Sequence, residues 1–263
     1  MSEQQENPAA AADLVIENLC IRYGNGRIAA VEHFSLSLRA GEFVSLLGPS
    51  GCGKTTILNA IGGFLAPDSG RILVDNKAVC GPGPDRGVVF QDFALFPHLS
   101  ALGNVSFGSE MRKLTRRDRR QHALEMLATV GLAEHATAYP IQLSGGMKQR
   151  VALARCFANH PTILLMDEPF GSLDAQTRSA MQYLLLKVWS AHISTVVFVT
   201  HDIEEALILS DRVVVLTPAP ARIKDQIAVT FERPRNKHIT TCDEFIAAKA
   251  RILDLIETVD YVQ

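Results

Sequence analysis

The stretch GPSGCGKTT, residues 48–56, has the residue types and spacing to hold a phosphate group. Gly48, Gly51 and Gly53 permit backbone conformations that a Cβ would obstruct, so successive N–H groups can turn inward toward phosphate oxygens. Pro49, Ser50 and Cys52 complete the loop. Lys54 has the charge to bridge the β- and γ-phosphates of a nucleotide, and the Thr55 hydroxyl, followed by Thr56, suits Mg²⁺. The pattern is G-x-x-x-x-G-K-[ST] with the flanks it requires, a strand-like FVSLL before it and a helix-like TTILNAIGGFL after it. The helix adds the positive end of its dipole to the anion site.

Three further places carry matching chemistry. TILLMDE ends an apolar run with two adjacent carboxylates, Asp167 and Glu168. Asp167 suits Mg²⁺, directly or through an intervening ligand, and Glu168 suits proton acceptance from an attacking water. STVVFVTHD repeats the arrangement with His201. A lone histidine is most often structural or exposed, but the end of a core strand favours contact with a phosphate or water. Gln91 follows the apolar GVVF; its amide suits metal or water, though taken alone it does not decide between that and a surface role. LSGGMKQR, residues 143–150, resembles a second anion-binding turn, with Ser144 to cap a helix and Gly145 and Gly146 to open the backbone. Taken alone it is a cradle with no anion.

The elements that must position these residues form an α/β pattern. Phe34, Leu36 and Leu38 alternate with polar residues, and RILVDNKAV, residues 71–79, predicts a hairpin turning at Asp75 and Asn76. From about Asp92 to Asn159 the pattern is helical, with Leu124, Leu127 and Val130 at helical spacing. Then apolar strands and helices alternate: TILLMDE, a helix from Asp174 to about Trp189, STVVFVTHD, a helix from Asp202, and RVVVL. That order predicts a parallel sheet covered on both faces. From about Arg222 the chain is less regular, and a final helix is predicted with a Thr241/Glu244 capping box and Phe245, Ala248, Ile252 and Ile256 on its buried face.

Composition narrows the class. With 263 residues, 47% hydrophobic and 21% charged, the chain can build one large globular core. A net charge of −2 argues against a nucleic-acid partner held by bulk electrostatics. The one basic run, Arg112 to Arg120, reads first as a solvated helix face capped by Thr115 and Asp118, with a phosphate- or lipid-binding patch as the lesser reading. Five scattered cysteines without C-x-x-C spacing point away from a disulfide framework or metal site and fit a reducing compartment. No secretory signal opens the chain, and the apolar runs fall well short of the roughly 18 residues of a membrane helix. The expectation is a soluble chain that reaches a membrane only through a partner.

Taken together, a strand Tyr23, the phosphate loop, Gln91, LSGGMKQR, MDEP, SLD (Ser172 to Asp174) and His201 stand in the order and approximate spacing of the ATP-binding cassette (ABC) ATPases. The chain resembles that family over about residues 14–220. The resemblance implies a P-loop NTPase with a RecA-like core, an N-terminal antiparallel β subdomain and an inserted helical subdomain. The expected boundaries are a disordered tail 1–12, an ATPase domain 13–225 with the insertion at about 92–159, and a C-terminal extension 226–263 ending in a helix. By the same resemblance Tyr23 stacks on adenine, Gln91 and Asp167 attend Mg²⁺, Glu168 activates water and His201 holds the γ-phosphate of ATP. Ser144, Gly145 and Gly146 would bind the γ-phosphate of a nucleotide held by a second copy, and Asp174 would lie in the loop linking the two sites. The family's commonest signature is LSGGQ. Met147 departs from it, which touches fine tuning rather than anion contact, and Lys148 is expected to be an exposed helix lysine.

GPGPDRGVVFQD, residues 81–92, and EPFGSLDAQTRSAMQYLLLKVW, residues 168–189, look like the ATP-binding subunits of nitrate, sulfonate and taurine importers. The implied assembly is a head-to-tail homodimer at the cytoplasmic face of the membrane, beneath two integral membrane permease subunits, with an extracellular or periplasmic solute-binding protein delivering solute. The segment FALFPHLS, with Phe93, Leu95 and Phe96, is the expected docking place for the membrane partner, or else subdomain core. A soluble ABC ATPase acting on nucleic acid or ribosomes would show a coiled-coil insertion, a second cassette or zinc-spaced cysteines; a P-loop kinase would lack LSGG and His201. Cys52, inside the loop, is expected to make the ATPase sensitive to thiol alkylation, with ATP protecting it.

Overall fold

A computed structural model describes residues 11–24, 26–108, 115–235 and 237–257. Residues 1–10 of the expected tail and residues 112–114 of the basic run lie outside them. Along the chain run β1 (Leu14–Tyr23), β2 (Ile28–Leu38), β3 (Phe43–Leu47), α1 (Lys54–Gly62), β4 (Ser69–Val74), β5 (Lys77–Ala78), β6 (Arg86–Val89), α2 (Ala101–Phe107), α3 (Arg116–Thr129), α4 (Gly145–Phe157), β7 (Ile163–Asp167), α5 (Ala175–Ala191), β8 (Thr195–Thr200), α6 (Ile203–Leu209), β9 (Arg212–Leu216), β10 (Ile223–Ala228) and α7 (Asp243–Glu257). They divide into two compact units: a P-loop unit of residues 12–83, 165–168 and the chain from Thr195, and a helical unit of residues 84–164 and 169–194.

The P-loop unit holds two sheets. One is antiparallel, in the order β2-β1-β4-β5. Its β2 buries Val31, Phe34, Leu36 and Leu38 while Ser35 and Ser37 face outward, as the alternation predicts. Each such side chain contributes about 1.5–3 kcal/mol on burial. The β4–β5 hairpin turns at Asp75 (φ 47°) and Asn76 (φ 61°), where short polar side chains tolerate the left-handed region. In the other sheet β3 lies between β8 and β9, parallel to both. Every residue of β3 and β8 is buried, which is why both read as unbroken apolar runs.

Two features of the C-terminal region depart from expectation. Residues 223–228 form a strand antiparallel to β9, although IKDQIA buries only Ile227; an exposed edge strand carries little hydrophobic signal. The cap of α7 falls on Cys242, whose carbonyl accepts the first helical bond from Ile246, and Thr241 ends a 3₁₀ turn instead. The packing of α7 is as predicted, with Phe245 and Ile252 buried against α6, β3 and β9 and with Ala248 and Ile256 alongside. Ala12, assigned to the tail, is buried, and its carbonyl accepts a hydrogen bond from the Thr195 hydroxyl.

In the helical unit α2, α3 and α4 pack together and α4 also packs on β6 and α5. The helical pattern begins later than predicted. Residues 92–100 are a loop, and α2 starts only after Ser100, whose hydroxyl accepts from Gly103 N–H. Thr115 caps α3, accepting from Asp118 N–H as expected. Gly87 lets β6 approach α4, since a Cβ there would stand 2.5 Å from Cys156 Sγ.

Candidate nucleotide-binding and hydrolysis site

The loop between β3 and α1 is built by its glycines. Gly51 (φ 74°) and Gly53 (φ 111°) adopt the left-handed region, and a Cβ on Gly53 would meet the Ala30 carbonyl at 2.7 Å. A Cβ on Gly48 would stand 3.0 Å from Cys52 Sγ and 3.2 Å from Leu216 Cβ. The Pro49 carbonyl closes the turn by accepting from Cys52 N–H. No side chain caps α1, which leaves the N–H groups of its first turn for an anion. Lys54 is 5% exposed and aims into the loop, its Nζ donating to the Gly48 carbonyl at 2.8 Å and the Pro49 carbonyl at 2.9 Å. Ser50, Gly51 and Thr55 are exposed at the loop's open side. Tyr23, 44% exposed, brings its hydroxyl to 3.2 Å from Thr56 Oγ1 and so stands beside the first turn of α1.

Thr55 Oγ1 donates to Asp167 Oδ1 at 3.1 Å. Burial pushes the Asp167 carboxyl above the usual range and the neighbouring Glu168 adds to the rise, while the Thr55 hydrogen bond and Lys54 oppose it. A hydroxyl and a carboxylate held together are the hard oxygen donors that Mg²⁺ takes alongside phosphate oxygens and water. Among the described residues no group of three or more His, Cys, Asp or Glu is arranged to hold a metal ion. The Thr55–Asp167 pair fits an ion whose other ligands are phosphate oxygens and water.

Glu168 follows β7 with φ 43°, a non-glycine residue in the left-handed region, and its N–H donates to the Val199 carbonyl of β8. Its Oε2 lies 2.9 Å from His201 Nδ1, with the His201 side chain 62% exposed and that of Glu168 23% exposed. The strand end that presents His201 is fixed from below by Thr200, Asp202 and Glu205, of which the sequence marked only Asp202, as the start of a helix. Asp202 N–H donates to Thr200 Oγ1, Glu205 N–H donates to Asp202 Oδ1 to cap α6, and the buried Thr200 hydroxyl bonds Glu205 Oε2. The D-x-x-E spacing of Asp202 and Glu205 is the capping signal that points to this bracket.

Cys52 is placed differently from its expected role. Its thiol is buried at 1% exposure, and burial pushes its pKa up, outweighing Lys54, whose Nζ is 4.0 Å away. Alkylation needs an accessible thiolate, so the structure removes the basis for a readily labelled Cys52.

The remaining candidates belong to the helical unit. Ser144 caps α4, its hydroxyl accepting from Met147 N–H at 3.3 Å, with Gly145 and Gly146 as the first helical residues. The two glycines have different reasons. Around Gly145 a Cβ would meet only Leu173, at 3.9 Å, whereas at Gly146 it would stand 2.9 Å from Thr177 Cγ2 on α5. Asp174 caps α5 by accepting from Thr177 N–H at 3.0 Å, and hydrogen bonds from Thr177 hold its carboxyl below the usual range. The signature turn and the Asp174 turn therefore meet at Thr177. Met147 and Lys148 are half-buried, so Lys148 is less exposed than expected. Gln91 is exposed in the turn after β6.

A family model described as "ABC transporter" matches residues 31–171. The chain is 47% identical to the taurine import ATP-binding protein TauB of Chromobacterium violaceum over 92% of this chain and 95% of that protein. It is also 47% identical to an uncharacterized ABC transporter ATP-binding protein, MJ0412, of Methanocaldococcus jannaschii, over 93% of this chain and 91% of that protein. Among solved structures, the dimeric post-hydrolysis state of the ATP-binding cassette MJ0796 bound to ADP and Pi superposes with a TM-score of 0.73 at 35% identity, covering 83% of this chain and all of that one. Cassette cbiO1 of Clostridium perfringens, part of the transporter complex cbiONQ, gives a TM-score of 0.76 at 29% identity over 91% of this chain and 94% of that one.

Proposed function

The chain belongs to the ABC transporter family and hydrolyses ATP with Mg²⁺, and from that premise we propose that it is the ATPase of an importer for a small anionic solute of the taurine, sulfonate or nitrate type. The likeness to taurine import subunits along almost the whole of both chains carries the importer reading. Two copies, arranged head to tail, serve two integral membrane permease subunits at the cytoplasmic face, with a separate solute-binding protein on the far side. No helix among the described residues is long and apolar enough to cross a membrane; in this reading the permease subunits supply the contact with the bilayer. The functional boundaries follow residues 13–225 for the ATPase domain, with a helical insertion at about 92–159.

In this reading each side chain has a defined task. The backbone N–H groups of residues 50–56 and the Lys54 ammonium receive phosphate oxygens, with Lys54 already aimed there by two carbonyls. Tyr23 offers its ring to the adenine. Thr55 and Asp167 would hold Mg²⁺, with Gln91 assigned to the same ion by the family resemblance alone, and the ion would neutralise charge that develops on the phosphates. Glu168 accepts the proton of the attacking water. His201, whose Nδ1 lies against that carboxylate, is the residue assigned to the γ-phosphate. Ser144, Gly145 and Gly146 close on the γ-phosphate held by the other copy, with Asp174 beside them.

Glu168→Gln tests the assignment. Loss of a general base costs about 10²–10⁴-fold, so steady-state hydrolysis should fall by that order. ATP binding and ATP-driven dimerisation, followed by equilibrium titration and light scattering, should persist. A variant with wild-type turnover overturns the role of Glu168. Purification from detergent-solubilised membranes tests the importer: integral membrane subunits should co-purify, and nucleic acid in their place contradicts it.

A further inference from the structure

The run RKLTRRDRR, residues 112–120, takes no part in the chemistry above. It gathers six cations and one carboxylate, in a chain whose net charge is −2. From Arg116 it forms the start of α3, capped by Thr115. Arg116, Arg117 and Arg120 are exposed, and their i, i+1, i+4 spacing brings them to one side of the helix. Their side chains form no hydrogen bond or ion pair among the described residues. Both carboxylates of α3 are engaged elsewhere: Asp118 Oδ2 accepts from the Thr115 hydroxyl at 2.6 Å, and Glu125 Oε1 accepts from the Gln121 amide at 2.8 Å.

This placement works against the helix in two ways. The first turn is the positive end of the helix dipole, where cations are disfavoured. Like charges four residues apart on a helix also repel. A helix face built for solubility mixes its signs, and this one does not. Three guanidiniums left unpaired at a cost to their own helix are complementary to something anionic outside the chain. They line no pocket and so fit an extended charged surface, where each planar fork can take phosphate oxygens.

We propose that the Arg116, Arg117 and Arg120 face of α3 is a docking surface for the anionic headgroups of a phospholipid bilayer, holding the chain at the membrane in addition to its protein partners. Arg112 and Lys113 precede it in the sequence and add two charges to the segment. The inference rests on the importer reading for its choice of a bilayer. Vesicles free of protein keep its failure distinct from a failure to recover permease subunits.

Sedimentation of the full-length protein with vesicles tests it, comparing phosphatidylcholine alone with phosphatidylcholine containing phosphatidylglycerol. The variants are Arg116→Gln, Arg117→Gln, Arg120→Gln, the triple glutamine variant, the triple lysine variant, and Lys77→Gln, which removes an exposed cation of the P-loop unit. Wild type should bind only the vesicles with phosphatidylglycerol. Binding should vanish as salt rises from about 0.1 to 1 M and the Debye length shrinks from about 10 to 3 Å. Each single glutamine variant should weaken binding about fivefold and the triple variant about a hundredfold, the scale of one unit charge per step near an anionic leaflet. The triple lysine variant should keep most of the affinity, and Lys77→Gln all of it.

Melting temperature separates docking from structure. The glutamine variants should melt at or above wild type, because the helix loses cations from its positive end; if the triple variant does not fold, the single variants decide. Wild-type protein that ignores phosphatidylglycerol, or a folded triple glutamine variant that binds as wild type does, overturns the inference. Tighter binding to a DNA duplex than to vesicles at equal phosphate concentration overturns it in favour of nucleic acid. Release from the vesicles by inorganic phosphate at constant ionic strength overturns it in favour of the free anion.

Discussion

The molecule holds two glycine-rich turns at helix N-termini, and they are built on opposite principles. Residues 48–53 make a loop closed on itself. Its glycines are required by positive φ or by close neighbours, and the Lys54 cation is buried and satisfied by the loop's own carbonyls. In the turn at Ser144 to Gly146 the serine is bonded as an ordinary helix cap, only Gly146 is required by packing, and among the described residues no buried cation is seen to bond it. A complete phosphate site needs charge, donors and enclosure. The first turn supplies all three within its own unit, and the second supplies only donors. The difference suits the second to be one face of a shared site, which is the physical content of the proposed head-to-tail pair.

The strongest way to break this comparison is to disable one turn in each of two protomers. Lys54→Ala should abolish nucleotide binding and turnover, because it removes the loop's only cation. Ser144→Arg should retain binding and lose turnover, since its own loop is untouched. Mixed in equal amounts, the two inactive variants should recover about a quarter of wild-type turnover, because half the dimers are mixed and each mixed dimer has one intact composite site of two. No recovery, or full activity of the Ser144→Arg variant as a monomer in sedimentation, contradicts the shared site.

A smaller effect comes from acid, which should strike one turn and spare the other. Asp167 is the titrating group beside the first turn, and its pKa is raised by burial and Glu168. A protonated carboxyl cannot ligate Mg²⁺, so affinity for the ion falls as pH drops through that raised pKa. The loss therefore begins at higher pH than an ordinary aspartate would give, and below the pKa it approaches about tenfold per pH unit. Titrating activity against Mg²⁺ on stepwise acidification from neutral pH should show KM in wild type beginning to rise at a higher pH than an ordinary aspartate would give, and flat, high values in Asp167→Asn. The Ser144–Gly146 turn has no titrating side chain, and Asp174 near it is held below the usual range and stays ionised. A wild-type KM for Mg²⁺ independent of pH would remove Asp167 from the metal.

The same contrast explains what was legible in the sequence. The fold's strands and caps were legible because each has a local cause: unbroken apolar runs at β3 and β8, alternation in β2, Asp-Asn at the β4–β5 turn, Thr115 before α3. The residue types proposed to face a nucleotide have local causes too, since each follows a strand end or opens a helix. Strand β10 was not, because its residues are mostly polar and its pairing to β9 is long-range hydrogen bonding without an apolar pattern. Nor were the left-handed conformations of Glu168, Phe93 and Ala94, which side-chain type disfavours and tertiary contacts impose. The separate reasons for Gly145 and Gly146 depend on where α5 lies, which no local pattern encodes.

The smallest expected effect sharpens how closed the first turn is. Position within the loop suggested a reactive Cys52; packing beneath Gly48 argues for the reverse. Cys80 is exposed and provides an internal standard within the same unit. With a neutral alkylating agent and mass spectrometry, Cys80 should label first and Cys52 at least about tenfold more slowly, because both low exposure and a raised pKa reduce the accessible thiolate. Addition of ATP should change the Cys52 rate little, as the thiol is already covered. Cys52→Ala should lower stability by about 1 kcal/mol, the scale of a small buried deletion, and leave turnover within twofold. If Cys52 instead labels as fast as Cys80 and ATP blocks it, the loop opens in solution, and the contrast between a closed first turn and an open second one fails.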